Sequence, residues 1–360
     1  MRCNLGLVIL YGGYKEVSAM SRSPRIDEVA SMAGVSKTTI SRFLNGKYEY
    51  MSGETRKRIE DIIKETGYRP NQIARTMKSK FSRTLGCVIA DITNPVSSIL
   101  VKGINDVCTR ENYAVYFFNT DNKIELETQC VQTLIRQRVD GLLVNTCDYE
   151  GTYLNNLAGD NLPIVLTERC LKNNEGLDCV ISESTQSTYT CVQHLAEQGY
   201  SKIGFFCSDI RKVSSRIMRY ESFLKAASEL LGYKGDMYTV STDLEESKKS
   251  VMRFYKAYPT ERKTIFCVNG VTLLNTLRAL FEMNIPISRD FSICSFDDWG
   301  WPSMVGPGIT TLAQDSYLVG VRAAELLINR IEGKIKGDSI FLEIPCRLIK
   351  RGSTLWPAEG

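Results

Sequence analysis

The segment from Ile26 to Leu44 constrains the fold of this chain more than any other stretch. Its apolar residues repeat with helical spacing on both sides of Gly34, and Ser36 can cap the second of the two helices. The inward-facing residues are Ile26, Val29, Ala30, Ala33, Ile40, Phe43 and Leu44. This pattern predicts two short helices joined by a glycine turn, a helix-turn-helix.

The second of these helices carries polar side chains on its outward face. They are Lys37, Thr38, Ser41 and Arg42, residue types that hydrogen-bond phosphates and base edges in a DNA major groove. An ordinary pair of helices in some other helical domain has the same pattern, so the motif alone leaves both interpretations open.

Positive charge is concentrated at the same end of the chain. The whole chain has a formal net charge of +4, but residues 21–80 contain 13 Lys and Arg against 7 Asp and Glu. Residues 81–360 are left with a net charge of −3. A small basic head on a mildly acidic body is typical of a nucleic-acid-binding module joined to another domain.

A third helix and a linker follow the helix pair. Ser52 and Glu54 begin this helix and Gly67 ends it. Pro70 can open one further short helix, which is too short to be stable alone. We expect a helix-turn-helix domain over residues 21–68, a short helix and linker over 69–82, and a disordered extension over 1–20.

From residue 83 onward, apolar strand-like runs alternate with amphipathic helices. Strands this apolar indicate parallel sheets covered on both faces, and about 270 residues exceed one typical domain, so we predict an α/β body of two doubly wound lobes. The runs are Leu85–Ala90, Ala114–Phe118, Gly141–Asn145, Ile164–Leu166, Val180–Ile181, Ile203–Cys207, Thr264–Val268 and Ser292–Ser295.

Polar residues follow several of these strands, where ligands bind in such folds. A single Asp or Asn at such a position is more often a turn or cap residue. Several of them converging on one crevice would instead form a binding site. They are Asp91, Asn94, Glu168, Arg169, Asn269, Asp297 and Asp298.

Sequence motifs for catalysis and metal binding are absent. The chain has no phosphate loop, dinucleotide fingerprint or nucleophile elbow. Its 12 cysteines include no C-x-x-C pair, and it has one histidine, His194, so we expect neither a metal site nor a cofactor. The apolar run Leu5–Tyr11 is too short to span a bilayer. We expect a cytoplasmic protein that is not an enzyme and does not bind membranes.

Taken together, the motifs resemble the LacI/GalR transcription regulators over nearly all of Ile26–Gly352. In the order in which they occur, they are highly specific. The matching segments are Asp27–Ala30, Gly34–Lys37, Ile40–Arg42, Ser52–Arg56, Gly67–Arg75, Asp91–Pro95, Arg138–Gly141, Phe296–Asp298, Thr310–Gln314 and Leu348–Arg351.

The resemblance implies a hinge helix after the head and a body like that of periplasmic sugar-binding proteins. It places three crossings between the lobes near Ser182–Thr185, Ala313–Asp315 and Lys336–Ser339, with the last long helix, Tyr317–Ile331, in the N-terminal lobe. The N-terminal lobe would span about residues 83–183 and 314–337. The C-terminal lobe would span about 184–313 and 338–352, with a tail at 353–360. The family binds near-palindromic operator DNA as homodimers, and we expect the same of this chain.

Carried over by position, the resemblance also assigns DNA contacts. Lys37, Thr38 and Arg42 should read bases in the major groove. A second set should hold the DNA backbone or enter the minor groove, with Met77 in place of the family's usual leucine wedge. These residues are Ser36, Tyr50, Thr55, Asn71, Ala74 and Met77.

In the body, the resemblance places Arg219 and Asp297 as the chief ligands of a small effector. Around them we expect Asp91, Asn94, Arg169, Asn269 and Gln314. The chain departs from the family pattern at four positions: Val96 and Ser97 replace aromatic residues, Gly270 replaces an aspartate, and Ser222 replaces a glycine. Trp299 and Trp301 are alternative platforms for a stacked sugar ring.

The resemblance implies a repressor of carbohydrate or sugar-acid catabolic genes, controlled by a sugar-like effector bound between the lobes. Two cleft arginines favour a sugar acid, and Phe43–Ser52 resembles regulators of 2-keto-3-deoxygluconate catabolism. The alternatives are a solute-binding protein, which would lack Ile26–Met77, and an enzyme in the sugar-kinase range, which the missing phosphate loop disfavours.

Overall fold

The computed structural model describes residues 24–44, 46–68, 81–157, 162–174, 176–211, 213–288 and 291–355. The chain divides into two compact units, Met1–Lys80 and Phe81–Gly360. The expected extension over 1–20, and residues 69–80 of the expected hinge helix and linker, lie outside the described residues. None of the described helices is long and apolar enough to cross a membrane.

The first unit contains the predicted helix-turn-helix. Its elements are α1 (Ile26–Met32), α2 (Lys37–Leu44), a 3-10 turn (Tyr48–Tyr50) and α3 (Gly53–Thr66). Val29, Ile40 and Ile59 bring one fully buried side chain from each α-helix to a common core. Arg58 Nε on α3 donates to the carbonyl oxygen of Ala33 at 3.0 Å, which satisfies a terminal acceptor of α1.

The described part of the second unit forms two six-stranded sheets. The first has the order β11-β5-β4-β3-β1-β2 and is parallel throughout. Its strands are β1 (Thr84–Ile89), β2 (Ala114–Asn119), β3 (Gly141–Val144), β4 (Ile164–Thr167), β5 (Asp178–Ser182) and β11 (Phe341–Ile344). This sheet forms the N-terminal lobe.

The second sheet forms the C-terminal lobe, with the order β12-β10-β9-β8-β6-β7. Only β12 among these described strands runs antiparallel to its neighbour. The strands are β6 (Lys202–Cys207), β7 (Asp236–Thr239), β8 (Lys263–Cys267), β9 (Phe291–Phe296), β10 (Thr310–Ala313) and β12 (Arg347–Ile349). The predicted fold of two doubly wound lobes is confirmed.

Helices cover both sheets. They are α4 (Pro95–Arg110), α5 (Ile124–Arg136), α6 (Thr152–Leu157), α7 (Thr185–Glu197), α8 (Ser214–Leu231), α9 (Leu244–Ala257), α10 (Gly270–Glu282) and α11 (Ser316–Ile331). Although α11 follows β10 in the chain, its buried face packs in the core of the first sheet, with Ala323 and Leu327 against Leu85 and Ile104. This last long helix therefore packs on the sheet of the N-terminal lobe.

The backbones of α4 and α11 pack unusually closely. A Cβ added at Gly103 would lie 2.2 Å from the carbonyl oxygen of Tyr317, and one added at Gly320 would lie 2.3 Å from that of Leu100. Side chains larger than hydrogen would force the two helices apart. These two glycines thus fix how tightly the helix from the second half of the chain fits the first sheet.

The third crossing between the lobes is not where the sequence analysis places it. The first two lie at Ser182–Thr185 and Ala313–Ser316, but β11 pairs with β5, so the chain crosses only at residues 345–346, between β11 and β12. The assignment of residues 338–344 to the C-terminal lobe is wrong.

A buried ion pair explains the position of β11. Asp178 accepts from Arg330 Nε and from its second terminal nitrogen at 2.8 Å each, and from the Ile340 backbone nitrogen at 2.7 Å. Phe341 and Leu342 remain exposed on this edge strand. Because the strand buries little apolar surface, its sequence gives no clear indication of its sheet.

The predicted tail also needs correction at its start. Ser353 and Thr354 are fully buried. The Ser353 hydroxyl donates to the Ile293 carbonyl at 2.8 Å, and the Thr354 hydroxyl is 2.9 Å from Nε2 of His194. Burial of this histidine lowers its pKa to about 4. The core of the C-terminal lobe therefore extends at least to Thr354.

Candidate functional site

A cavity lies between the two sheets, near the carboxyl ends of their parallel strands. The space between the protein atoms there amounts to about 540 Å³, including volume that is open to solvent. Six of the seven effector residues proposed from the sequence line it: Asn94, Arg169, Arg219, Asn269, Asp297 and Gln314. Their location is as expected, and their role in binding remains a prediction.

Asp91, the seventh proposed effector residue, does not line the cavity. Its Oδ1 atom accepts from the backbone nitrogen of Thr93 at 2.9 Å and from the Thr93 hydroxyl at 2.6 Å. The carboxylate thus closes the turn before α4. An Asp that follows a strand commonly has this structural role, which the sequence does not distinguish from ligand binding.

Arg219 is buried at the back of the cavity and is held on several sides. Its guanidinium donates to the Ser184 hydroxyl at 3.2 Å, the Val268 carbonyl at 2.8 Å and Gln314 Oε1 at 2.9 Å. Its Cζ atom lies 3.7 Å from the ring centroid of Phe296. Burial lowers the pKa of Arg219, although the charge of Asp297 opposes this shift. These contacts fix its orientation before any ligand binds.

Asp297 and Gln314, which follow strands of the second sheet, extend this hydrogen-bond network. Asp297 Oδ2 accepts from the Gly270 backbone nitrogen at 2.8 Å, and its Oδ1 accepts from the Gln314 side-chain amide. Burial raises the pKa of Asp297, and the charge of Arg219 partly counteracts the increase. Asn269 Oδ1 caps α10 by accepting from Thr272 at 2.8 Å, so part of its hydrogen-bonding capacity is already used.

Glu168 also lines the cavity, although the sequence analysis identified it only as a residue after a strand. Its carboxyl group accepts from the Ser182 backbone nitrogen at 3.3 Å and the Ser182 hydroxyl at 3.1 Å, and it is hydrogen-bonded to Ser316. Ser182 precedes the first crossing and Ser316 follows the second. One carboxyl group therefore joins both crossing segments to the cavity. Burial raises its pKa.

Two further arginines face the cavity from different lobes. Arg169 follows β4 and donates to the Thr146 carbonyl at 3.0 Å and to Asn122 Oδ1 at 3.1 Å. Arg216 lies in the first turn of α8 and donates to the Asp209 carbonyl at 2.7 Å. Burial and the charge of Arg216 lower the pKa of Arg169 to about 10. Two guanidinium groups that repel each other favour an anion between them.

Within the described ranges, neither Arg169 nor Arg216 forms an ion pair with a carboxylate. Each is satisfied by neutral oxygen acceptors, so its charge remains available to a ligand. The sequence analysis missed Arg216. The spacing of three residues between Arg216 and Arg219 could have identified it, since residues three apart on a helix lie on the same side.

The described lining of the cavity contains no aromatic side chain. Trp301 packs in the core of the second sheet, and Trp299 packs against Gly270, where an added Cβ would lie 2.6 Å from the indole ring. Neither tryptophan lines the cavity. In the described ranges, no group of three or more His, Cys, Asp and Glu side chains is placed to bind a metal ion.

The base-reading residues proposed for the head lie on an exposed face of α2. Lys37, Thr38 and Arg42 are all exposed, and Lys37 Nζ forms an ion pair with Asp27 Oδ1 at 2.5 Å. In the second proposed set, Ser36 and Tyr50 are exposed and Thr55 is half-buried. Asn71, Ala74 and Met77 lie outside the described residues.

Comparison with known proteins gives matches to both units. Residues 25–71 match the family described as bacterial regulatory proteins, lacI family, and residues 192–354 match the periplasmic binding protein-like domain. The HTH-type transcriptional regulator KdgR of Bacillus subtilis is 34% identical over 330 residues, covering 91% of this chain and 97% of the relative.

A second relative and a solved structure agree with this match. PtxS of Pseudomonas putida, also an HTH-type transcriptional regulator, is 34% identical over 329 residues, covering 91% of this chain and 95% of the relative. The crystal structure of the lac repressor dimer, bound to operator and the anti-inducer ONPF, has a TM-score of 0.80 at 23% identity. That alignment covers 93% of this chain and all of the repressor chain, and it shows a shared fold.

Proposed function

Because the chain belongs to the lacI family of bacterial regulatory proteins, we propose that it represses sugar-acid catabolic genes in the cytoplasm, under the control of an anionic sugar. It is a DNA-binding transcriptional regulator, as its relatives are. The repressor role, the anionic effector and the residues that contact each partner are the proposal. No catalytic step is part of it.

The arrangement of Arg169 and Arg216 is the observation that supports an anionic effector. They enter the cavity from different lobes, and within the described residues neither forms an ion pair with a carboxylate. A carboxylate between them would relieve their repulsion and accept charge-assisted hydrogen bonds from both. The polar groups near Arg219 and Asp297 would then hold the hydroxyl groups of the sugar.

The crossing segments would link effector binding to the relative positions of the two lobes. Glu168 contacts Ser182 and Ser316, while Arg219 contacts Ser184 and Gln314. All four contacted residues lie at or beside the first two crossings. An effector that displaces these side chains would change how the lobes close, and coupling of this kind typically amounts to about 1–3 kcal/mol.

We propose that the regulator acts as a homodimer on a near-palindromic operator. Val271, Leu274 and Phe281 share one face of α10 and are 39%, 58% and 75% exposed, an apolar stripe that suits contact with a second copy. A dimer would present two copies of α2 about one turn of DNA apart. Lys37, Thr38 and Arg42 would read bases in each half-site.

The solute-binding alternative shares the two-lobed body. It gives no role to the basic helix-turn-helix head, whose residues 25–71 match the lacI family. DNA binding by the complete chain therefore separates the two functions.

DNA selection tests the proposal and identifies the operator sequence in the same experiment. The complete chain is mixed with a pool of duplexes randomised over about 20 base pairs, two turns of DNA, and the bound duplexes are sequenced. We expect a near-palindromic motif whose affinity falls steeply with salt, because much of the binding is to phosphates. A selection without an enriched motif would contradict sequence-specific binding.

The affinity for the selected duplex is then used to identify the effector. Fluorescence anisotropy follows its affinity in the presence of 2-keto-3-deoxygluconate, gluconate or glucose. We expect at least one of the two acids to change the affinity, whereas uncharged glucose has no effect at the same concentration. A response to glucose alone would contradict the anionic effector and leave the DNA-binding function intact.

A further inference from the structure

Two tyrosine rings in the 3-10 turn Tyr48–Tyr50 form cation–π contacts with two arginines of the head. The guanidinium carbon of Arg42 lies 4.8 Å from the ring centroid of Tyr50. That of Arg56 lies 3.9 Å from the ring centroid of Tyr48. Arg42 belongs to α2 and Arg56 to the first turn of α3, so this turn contacts both helices through cation–π pairs.

The two rings differ in how they are anchored. Tyr48 packs edge-on against Phe43 of the head core, with ring centroids 5.7 Å apart, and is 38% exposed. Tyr50 is 61% exposed, so the fold of the head depends little on its ring. The contact between Tyr50 and Arg42 therefore joins two exposed side chains that the core does not need.

An exposed arginine loses much rotamer freedom when it binds a base edge. A ring that already supports the planar guanidinium reduces this loss, because fewer conformations remain to be excluded. Guanine presents two acceptors that suit a bidentate arginine. Correct orientation of Arg42 before contact would therefore favour one base over the other three.

We propose that Tyr50 and Tyr48 are positioning residues of the DNA interface. The Tyr50 ring orients Arg42 for base recognition, whereas the Tyr48 ring orients Arg56 toward the DNA backbone beside Thr55. This inference rests on the proposed function, since it assumes that α2 reads a half-site. It gives the ring of Tyr50 a role in specificity, distinct from a phosphate contact by its hydroxyl group.

Paired substitutions in the complete chain separate ring from hydroxyl. Tyr50→Phe keeps the ring and removes the hydroxyl, and Tyr50→Leu removes both. Each variant and the wild type are tested on the randomised duplex pool, and base preference at each position is determined by sequencing. Circular dichroism and thermal unfolding check that the head remains folded.

We expect Tyr50→Leu to lose about two- to fivefold in discrimination at one base pair of each half-site, the range of an exposed cation–π contact. Tyr50→Phe should keep the wild-type preference there. Arg42→Lys is the positive control, because it removes the bidentate fork and should weaken preference at that same position.

Tyr48 provides the matched control within the same turn. Tyr48→Leu should weaken binding to all sequences to a similar extent and leave the sequence motif unchanged, because a backbone contact carries little sequence information. Tyr48→Phe, which keeps the contact with Phe43, should bind like the wild type. If Tyr48→Leu does not fold, Tyr48→Phe still tests whether DNA binding needs the Tyr48 hydroxyl. Retained binding by this variant would show that it does not.

Three outcomes would overturn the inference. One is a wild-type motif with Tyr50→Leu, and another is equal loss of discrimination with Tyr50→Phe and Tyr50→Leu, which would assign the role to the hydroxyl. The third is a change of motif with Tyr48→Phe. Failure of the wild type to select any motif would instead refute the proposed function, so the two failures are distinguishable.

Discussion

Replacement of Arg216 tests the proposed recognition of an anion most directly. Arg216→Gln keeps a neutral hydrogen-bonding side chain, but it lacks the terminal nitrogen that donates to the Asp209 carbonyl at 2.7 Å. It removes the positive charge that faces Arg169 in the cavity. We expect weaker binding of a sugar acid and little change in the binding of an uncharged sugar.

The magnitude follows from the contacts of the side chain. A hydrogen bond to a charged group contributes about 1.5–3 kcal/mol, and the lower half applies because Arg216 is only half-buried. The dissociation constant for the acid should therefore rise about 10- to 50-fold. Burial and, to a smaller extent, the charge of Arg216 lower the pKa of Arg169. A bound anion relieves the repulsion between the two arginines, and the variant loses this gain as well.

Isothermal titration of the complete chain measures the change. Whichever of gluconate and 2-keto-3-deoxygluconate binds the wild type is titrated into each variant, at low and high salt. The control is Arg211→Gln, since Arg211 lies in the loop just before α8 but pairs with Asp209 on the surface, at 2.8 Å, with 83% of its side chain exposed. This control should bind the acid like the wild type.

The reasoning would be refuted if Arg216→Gln bound the acid as tightly as the wild type. It would equally be refuted if Arg211→Gln lost as much affinity, because the effect would then come from the net charge of the surface. A loss confined to Arg216→Gln and reduced at high salt would support a direct ionic contact.

Two further predictions concern the stability of the body. Since burial lowers the pKa of His194 to about 4 from 6.5, the unfolded chain binds its proton first, and stability should fall by up to about 3 kcal/mol from pH 6.5 to pH 4. His194→Gln, which can still contact Thr354, should flatten that part of the curve from acid-titrated urea unfolding; an unchanged curve would exclude this histidine as the cause. Gly320→Ala should lower the free energy of unfolding by about 1–3 kcal/mol, because its Cβ would meet the Leu100 carbonyl at 2.3 Å, whereas Gly53→Ala, with open space around it, should not. Equal denaturation midpoints for these two alanine variants would contradict the close packing of α4 and α11.

Local patterns were sufficient to predict the head and most of the strands. The three-residue and four-residue spacing of Val29, Ala30 and Ala33 predicted the first helix of the helix-turn-helix, and all three side chains are buried in the head core. The apolar runs that became β1, β6 and β8 were predicted within about two residues, because strands buried on both faces read as continuous hydrophobic segments. Strands with exposed faces, such as β7 and β11, gave no such signal.

The residues of the cavity likewise divide into those that the sequence located and those that only the structure located. Residues that follow a strand can be located from the strand itself, which is why Asn94, Asn269 and Asp297 were identified. Arg216 lies on a helix, and its place in the cavity depends on the approach of the two lobes, a distance that sequence spacing does not report. Asp91 had the same local signal as Asp297, yet its carboxylate closes a turn.

The sequence by itself determined the helix-turn-helix, the alternation of strands and helices, and the basic charge of the head, since each depends on residues that are neighbours in the chain. Only the tertiary structure decided that β11 belongs to the first sheet, that Ser353 and Thr354 are buried, and that Arg169 and Arg216 face one cavity. Those facts depend on contacts between residues far apart in sequence. Arg330 reaches Asp178 across 152 positions, and no local period or composition encodes such a pairing.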